Sequence, residues 1–587
     1  MNRVLKILWC RLGCVTCGFI LLACALLVSL SWAADPPKTI VDLQPFRSAT
    51  STRFKGAQGE EGLATLINLN PDINAWYLLQ LSRGSGPGES YHLQNALRRT
   101  QTLMLEERSP NGLTIVHEKE SASCDLWSAN VREGLKEGKK STVPYAAICN
   151  GKVYLRNPTK GHQSAVEAVT DFLRKEVPGG EEVVSFVRDT FFAYLYQKKA
   201  EQKIEERPAE GAQQVPAANE PASALLDPKK NSETIKAVDL GIEIEASTAD
   251  RMIPGKWYAA RDNPGIYASV IVPAWIAPEI FRSYTQRVNS LNNVESGQLV
   301  YLVAFDLGRF DLHYALGTAH PEVGWSGHIL SQMRDKSLPG PDGISTSAPL
   351  VRTGLINPMD APRTVATFTG GYKRYHGAFK YGPLAVKNHG SHYGFLEEGV
   401  LFSTLQPELS TIYVLDDGWT DMKTWTEQEN RLLSRIRYAR QNGVSIIEEF
   451  DQANHLSVPG RFVNQWGAGN WSGSADEKLQ TMRAGVALQE ADGKRFLIYA
   501  FFWSATPSAM ARVFQAYQCR YAMLLDMNAL VHTYLAVYKK KGSSLYIQHL
   551  IQKMSEADLT VKGQYVPRFL GFPDDRDFFY LTRKEAS

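Results

Sequence analysis

The most informative stretch of the 587-residue chain begins at Arg495-Phe496-Leu497-Ile498-Tyr499-Ala500-Phe501-Phe502-Trp503 and runs through Thr506-Pro507 to Tyr521-Ala522-Met523-Leu524-Leu525-Asp526. The first run has the aromatic and aliphatic density of a buried strand. Thr506 before Pro507 is a helix start, with the threonine as cap and the proline tolerated in the first turn. Met510, Val513, Phe514 and Tyr517 then recur at helical spacing, and Tyr521 to Leu525 reads as a second strand. Strand, helix and strand in that compass form a βαβ unit, which predicts two parallel neighbours and an α/β fold. The second strand ends on Asp526, and α/β proteins place sites at the carboxyl ends of strands.

Working outward, Ile266 to Val272, Leu299 to Phe305 and Val444 to Ile447 are further strands. Thr426 to Asn442 reads as a helix through Leu432, Leu433, Ile436 and Tyr438, stopped by Gly443. A Gly/Asn/Ser-rich loop follows over Gly460 to Ser474. Upstream, Glu201 to Lys230 has almost no large apolar residue before Leu225 and cannot bury enough surface to offset its ordering, so it reads as a linker. The expected organisation is a targeting segment over 1–34, a smaller mixed α/β domain over 35–200, a linker over 201–234 and a larger domain over 235–587. In the first domain, 35–60 reads as polar and loosely ordered, and Ala64 to Leu69 and Gly112 to Val116 as strands. Val166, Val169, Phe172 and Leu173, then Val183, Val184, Val187, Phe191 and Leu195, have helical spacing.

Composition narrows the class. With 44% hydrophobic and 21% charged residues the chain is globular, and 64 basic against 61 acidic side chains leave +3. That balance does not exclude a basic face for gripping nucleic acid by counterion release, but gives no reason to propose one. Arg3, Lys6 and Arg11 precede the apolar run Cys17 to Leu30, and Ser31-Trp32-Ala33 follows at cleavage-like spacing, which predicts export to the periplasm or medium. Two alternatives stay open: an uncleaved anchor over residues 12–34, the only membrane contact expected, and a lipoprotein-type box at Leu21-Leu22-Ala23-Cys24. Four of the seven cysteines lie in this segment. Cys124 and Cys149 are expected to pair in an oxidising compartment, closing a loop worth roughly 3 kcal/mol, with two buried thiols as the alternative. Cys519 reads as a core thiol.

Several stretches resemble, in order, the phosphodiester glycosidase domain family, that of N-acetylglucosamine-1-phosphodiester α-N-acetylglucosaminidase. Ala366-Thr367-Phe368-Thr369-Gly370-Gly371-Tyr372 is similar to the family's strand and Asn-Gly-Gly-Phe-Phe turn, with Tyr381 to Val386 as the piece after it. Arg483-Ala484-Gly485-Val486-Ala487-Leu488 is similar to its Arg-x-Ala-x-Gly strand. Ala522 to Asp526 is similar to the strand that ends in Asp-Gly-Gly-Gly-Ser. The resemblance covers roughly 355–538, more loosely the region from Lys236, and not the first domain. It departs at Met527-Asn528-Ala529-Leu530, where glycines would let backbone N–H groups approach an anion; Thr369 replaces the asparagine and Lys373 the second aromatic.

The resemblance implies hydrolysis of a sugar 1-phosphodiester or a related envelope glycan. The leaving phosphate is a weak base, so binding its charge matters more than protonating it. Arg483 would hold the phosphate and Asp526 would face the developing oxocarbenium ion, with Thr369, Gly370, Gly371, Asn528, His532 and Thr533 as substrate contacts. No cofactor and no metal are expected, and the partner is a glycan or sugar phosphate. The alternative is a non-catalytic relative that binds an envelope glycan or a protein, suggested by the missing glycines. The competing constellations have plainer readings. His376, His389 and His392 lack an accompanying acidic motif; Asp416-Asp417 and Glu448-Glu449 with Asp451 are doubled acids of a solvated kind. Trp466, Trp471 and Trp503 are as readily core as sugar platforms.

Overall fold

Asp492-Gly493 determines how the sheet is arranged around the predicted βαβ unit. Both residues have positive φ, 48° and 73°, which is the backbone of a tight hairpin turn and the reason Asp-Gly favours it. The turn folds Thr481–Ala491 back against Lys494–Ala505. Thr481–Ala491 also pairs antiparallel with Tyr521–Met527. In the computed structural model the expected helix is present at Pro507–Ala516, capped by the Thr506 side chain. The strands before and after that helix are parallel to each other but not neighbours, because the hairpin strand lies between them. Every ladder among the described strands is antiparallel, so the fold is β-rich, and the α/β assignment is overturned.

The structure describes residues 38–585 apart from 56–59, 84–87, 129–133, 165–166, 170–171, 173–206, 209–219, 246–250, 375–378, 380–381, 392–393, 467–477 and 543. The targeting segment, the helical spacing over 183–195, half of the linker and most of the Gly460–Ser474 loop lie outside them. Within the compact unit Thr39–Ser587, an eight-stranded sheet runs in the order 258–259, 266–271, 300–306, 494–505, 481–491, 521–527, 445–451, 456–459. A five-stranded sheet has the order 310–315, 578–583, 364–369, 535–541, 544–549, and another the order 400–403, 395–397, 436–441, 410–415, 420–424.

The helix expected over 426–442 is not there. A capping box between Thr426 and Glu429 starts a 3-10 helix over Glu427–Arg435, and Ile436–Gln441 then becomes a strand between 395–397 and 410–415. Sheet pairing has overridden the local spacing. The polar stretch after residue 35 is also more ordered than its composition suggests: Ser48–Lys55 pairs along its whole length with Glu61–Asn68.

That hairpin opens a six-stranded sheet (48–55, 61–68, 76–83, 89–95, 153–156, 145–148), with a three-stranded one over 101–125 beside it. Alternation along Trp76–Arg83 sends Tyr77, Leu79 and Leu81 into a small core of this sheet's own. Trp76 and Leu78 go into the large core shared with the eight-stranded sheet. A strand with apolar residues on both faces must be covered twice. Polar groups complete the second cover. Asn70 donates to the Gly399 and Ser434 carbonyls, and Arg156 donates to the Val351 carbonyl and Gln94. Arg98 pairs with Glu398. Cys124 and Cys149 form the expected disulfide. Cys519 is a free, fully buried thiol whose pKa burial pushes up. Among the described residues no helix is long and apolar enough to cross a membrane.

Candidate functional site

Asp526 is the penultimate residue of its strand, with its side chain almost fully buried. One carboxylate oxygen accepts the Met527 N–H at 2.8 Å, and the other accepts Arg576 Nη1 at 2.5 Å. The remaining edge of the Arg576 guanidinium serves two other groups. Its Nε donates to Glu167 Oε1 at 2.5 Å, and its Nη2 lies 2.8 Å from His532 Nε2. The His532 Nδ1 faces the Met527 carbonyl at 2.9 Å. A carbonyl only accepts, so Nδ1 carries the hydrogen. Nε2 then either accepts from Arg576 or, protonated, donates to Glu167 at 3.1 Å.

Electrostatics hold this group together. Burial alone would raise the Glu167 pKa, but Arg576 and His532 overcome it and keep the carboxylate far below its usual range. Burial would likewise lower Arg576, and Glu167, Asp526 and Asp575 push it up instead. Next to it, Asp575 accepts Lys373 Nζ at 2.6 Å, yet burial dominates and raises its pKa. Asp574 takes a forked contact from Arg568, at 2.7 and 3.0 Å. Asp577 accepts Arg440 Nε at 2.8 Å and the Tyr314 hydroxyl at 2.9 Å. Buried charges persist only when paired and hydrogen-bonded in this way. His532, with a side chain 20% exposed, is the most open member of the Asp526–Arg576–Glu167 group.

The structure places several sequence-predicted residues on this cluster's edge. Thr369 closes its strand with a hydroxyl donated to the His532 carbonyl at 2.7 Å. A Cβ on Gly370 would lie 2.4 Å from an Asp577 oxygen, and one on Gly371 would lie 2.7 Å from Asn442 Oδ1 and 2.8 Å from Arg440 Nη2. The two glycines thus admit the buried Arg440–Asp577 pair. Asn528 has φ 79°, so the turn after Asp526 keeps one left-handed residue although its glycines are gone. Its side chain accepts the Thr481 hydroxyl. Thr533 is buried and donates to the Ala529 carbonyl.

Arg483 is built differently. It is fully buried, and its Nε and Nη2 donate to the carbonyls of Ala505 and Leu479, at 2.7 and 3.0 Å. Its Nη1 lies 3.7 Å from the Met527 sulfur. The pairing slips on both sides of Arg483, and its guanidinium clamps the main chain there. Met527 also receives the Tyr372 hydroxyl, so its side chain fills the space next to the strand end.

Elsewhere, Trp466 and Trp503 are buried, while Trp471, His376 and His392 lie outside the described residues. Asp416 and Asp417 pair with Arg435, and Glu448 with Arg287. No group of three His, Cys, Asp or Glu side chains among the described residues could hold a metal. Two cavities, of about 760 and 620 Å3, have no lining residue from the Asp526 cluster.

Sequence reasoning missed Arg576 and Glu167. A signal for the first existed: Asp574-Asp575-Arg576-Asp577 stands directly before the apolar Phe578-Phe579-Tyr580-Leu581, and four charges at the mouth of a buried strand need internal partners. Glu167 had none, being one polar residue between helically spaced valines.

No protein family and no curated protein matches the sequence. Among solved structures, the chain is similar to a catalytic domain of the zebrafish N-acetylglucosamine-1-phosphodiester α-N-acetylglucosaminidase auto-inhibited by its pro-peptide. The identity is 10% over 65% of this chain and 100% of that one, with a TM-score of 0.28. A hypothetical protein from Synechocystis is similar at 11% identity over 87% and 97%, with a TM-score of 0.24. Both scores are too low for the superpositions to bear on the chemistry here.

Proposed function

We propose that the chain is an exported hydrolase of the phosphodiester glycosidase type, with Asp526, Arg576 and His532 as its working groups and Arg483 as a positioning residue. The observation that carries this is the division of the Arg576 guanidinium. One edge fixes Asp526, and the other meets a carboxylate, Glu167, together with His532. A phosphate oxygen fits the same donors as that carboxylate, because guanidinium forks suit both. In this arrangement Glu167 holds the place of the substrate phosphate, and turnover requires it to move out.

With phosphate in that place, Asp526 stands beside the sugar carbon. A water oxygen bonds to that carbon as its bond to the phosphate oxygen breaks, and the bonding pair leaves on the phosphate. Arg576 and His532 stabilise the departing charge. Asp526 stabilises the positive charge that develops on the ring and takes the water's proton.

The test is release of a chromogenic alcohol phosphate from an N-acetylglucosamine 1-phosphodiester. Wild type should turn over slowly, Glu167→Ala faster, and Asp526→Asn not at all while melting normally. A folded wild type and Glu167→Ala that both leave the substrate intact would overturn the reading. That outcome favours the second reading, a glycan- or protein-binding relative, whose support is the Met527 side chain filling the strand end.

A further inference from the structure

The larger cavity, about 760 Å3, lies where the turn Asp306–Arg309, the turn Asp417–Thr420 and the hairpin tip Gly493–Arg495 meet Lys584 near the end of the chain. Its volume is that of a site for a small ligand. Four cations line it, Arg309, Lys494, Arg495 and Lys584, against only Asp306 and Asp417. Asp417 is already engaged by Arg435, which is not part of the lining.

The cations are loosely held, unlike those around Asp526. Arg309 and Lys494 share Asp306 at 3.6 and 3.7 Å, and Lys584 reaches Asp311 only at 3.8 Å. Arg495 lies 3.3 Å from Asp421 and 3.6 Å from Glu490. Such contacts yield readily to a better-placed anion.

Trp419 supplies a second kind of contact. The Arg495 guanidinium is stacked 3.9 Å from the centre of its ring, which fixes the indole. The residue is still 51% exposed. An indole braced by a cation on one face, at the rim of a cationic cavity, suits a ring with C–H groups on its face and an anion at its edge.

From this we infer that the cavity around Trp419 and Arg495 binds an anionic saccharide, whose sugar ring packs on Trp419 and whose carboxylate or phosphate meets Lys494, Arg309 and Lys584. The site is separate from the Asp526 cluster and does not depend on catalysis there.

The experiment measures binding of the full chain to a galacturonic acid hexasaccharide, to glucose 6-phosphate and to neutral maltohexaose by calorimetry. The two acidic sugars separate carboxylate from phosphate, and binding of either one is expected. Trp419→Ala should weaken that binding by at least roughly tenfold, Lys494→Glu similarly, and Tyr546→Ala, an exposed aromatic elsewhere, not at all. Binding of maltohexaose as tight as the acidic sugars would overturn the charge requirement. No binding of either acidic sugar, or equal binding by Trp419→Ala, would overturn the site. A short DNA duplex bound independently of Trp419 and more tightly than either sugar would show a plain polyanion patch instead and also overturn it.

Discussion

The Asp526 cluster and the Trp419 cavity are made of the same residue types, yet they stand in opposite electrostatic conditions. Around Asp526 the arginine and lysine ion pairs are short, from 2.5 to 2.7 Å, and their side chains almost fully buried. Around Trp419 the contacts stretch from 3.3 to 3.8 Å, and the lysines and Arg309 are 31 to 55% exposed. A guanidinium in the first region is committed to its partners. In the second it is available to a ligand. The number of arginines in a region therefore says little about binding until their existing partners are known.

The comparison can be broken most directly by removing one cation from each side. Arg576→Met leaves Glu167, Asp526 and Asp575 buried without their shared partner. We expect a loss of about 3–5 kcal/mol, seen as a lower denaturant midpoint. Arg309→Ala, with 55% of its side chain exposed, should cost under about 1 kcal/mol. Equal costs would abolish the distinction. Between these extremes, replacing both Cys124 and Cys149 by serine removes a crosslink over 25 residues and should cost about 3 kcal/mol in the same titration. A larger loss would mean that the six-stranded sheet depends on the disulfide for more than loop entropy.

A comparable effect appears only at high pH. Glu397 is buried under the six-stranded sheet, and burial raises its pKa to about 7 despite Arg156 3.8 Å away. The folded protein therefore holds this proton more tightly than the unfolded chain does. Its contribution is complete below about pH 4.5, the unfolded value, and is lost as pH rises through about 7. Glu397→Gln should stabilise the protein by about 3 kcal/mol at pH 8 and by under about 0.5 kcal/mol at pH 4.5. A pH-independent difference between the two melting curves would show that Glu397 is ionised in the folded state. Trp419→Ala, smallest of all, should leave stability within about 0.5 kcal/mol and change only ligand binding.

The sequence showed individual strands and the helix between them well, because apolar runs, Thr506-Pro507 and helical spacing are local signals. It did not show which strands were neighbours. Asp492-Gly493 was in view between Arg483 and Trp503, and its preference for a tight hairpin is what places Thr481–Ala491 between two parallel strands. The stretch 426–442 misled because its spacing suits a helix, while its pairing partners lie over 395–415, beyond the reach of local pattern. For the site, the Gly370-Gly371 turn packs on the Arg440–Asp577 pair, and Asp526 is held by Arg576, the residue before Asp577. The arginine that meets Asp526 is not the one 43 positions upstream but Arg576, 50 residues downstream. Only the three-dimensional path of the last strand could reveal that.

That last strand has a consequence for how the protein is made. Phe578–Arg583 is not an edge: it lies between Phe310–Ala315 and Thr364–Thr369. The contact from Arg576 to Glu167 closes across 409 residues, and that from Lys373 to Asp575 across 202. A chain emerging from its N-terminus holds two unpaired strand edges open until residues 578–583 arrive. Phe578–Arg583 is then the latch of assembly. A product that stops before Phe578 would leave the edges of Phe310–Ala315 and Thr364–Thr369 that face this strand without their partner, and it should be cut by protease faster than a chain that carries residues 578–583.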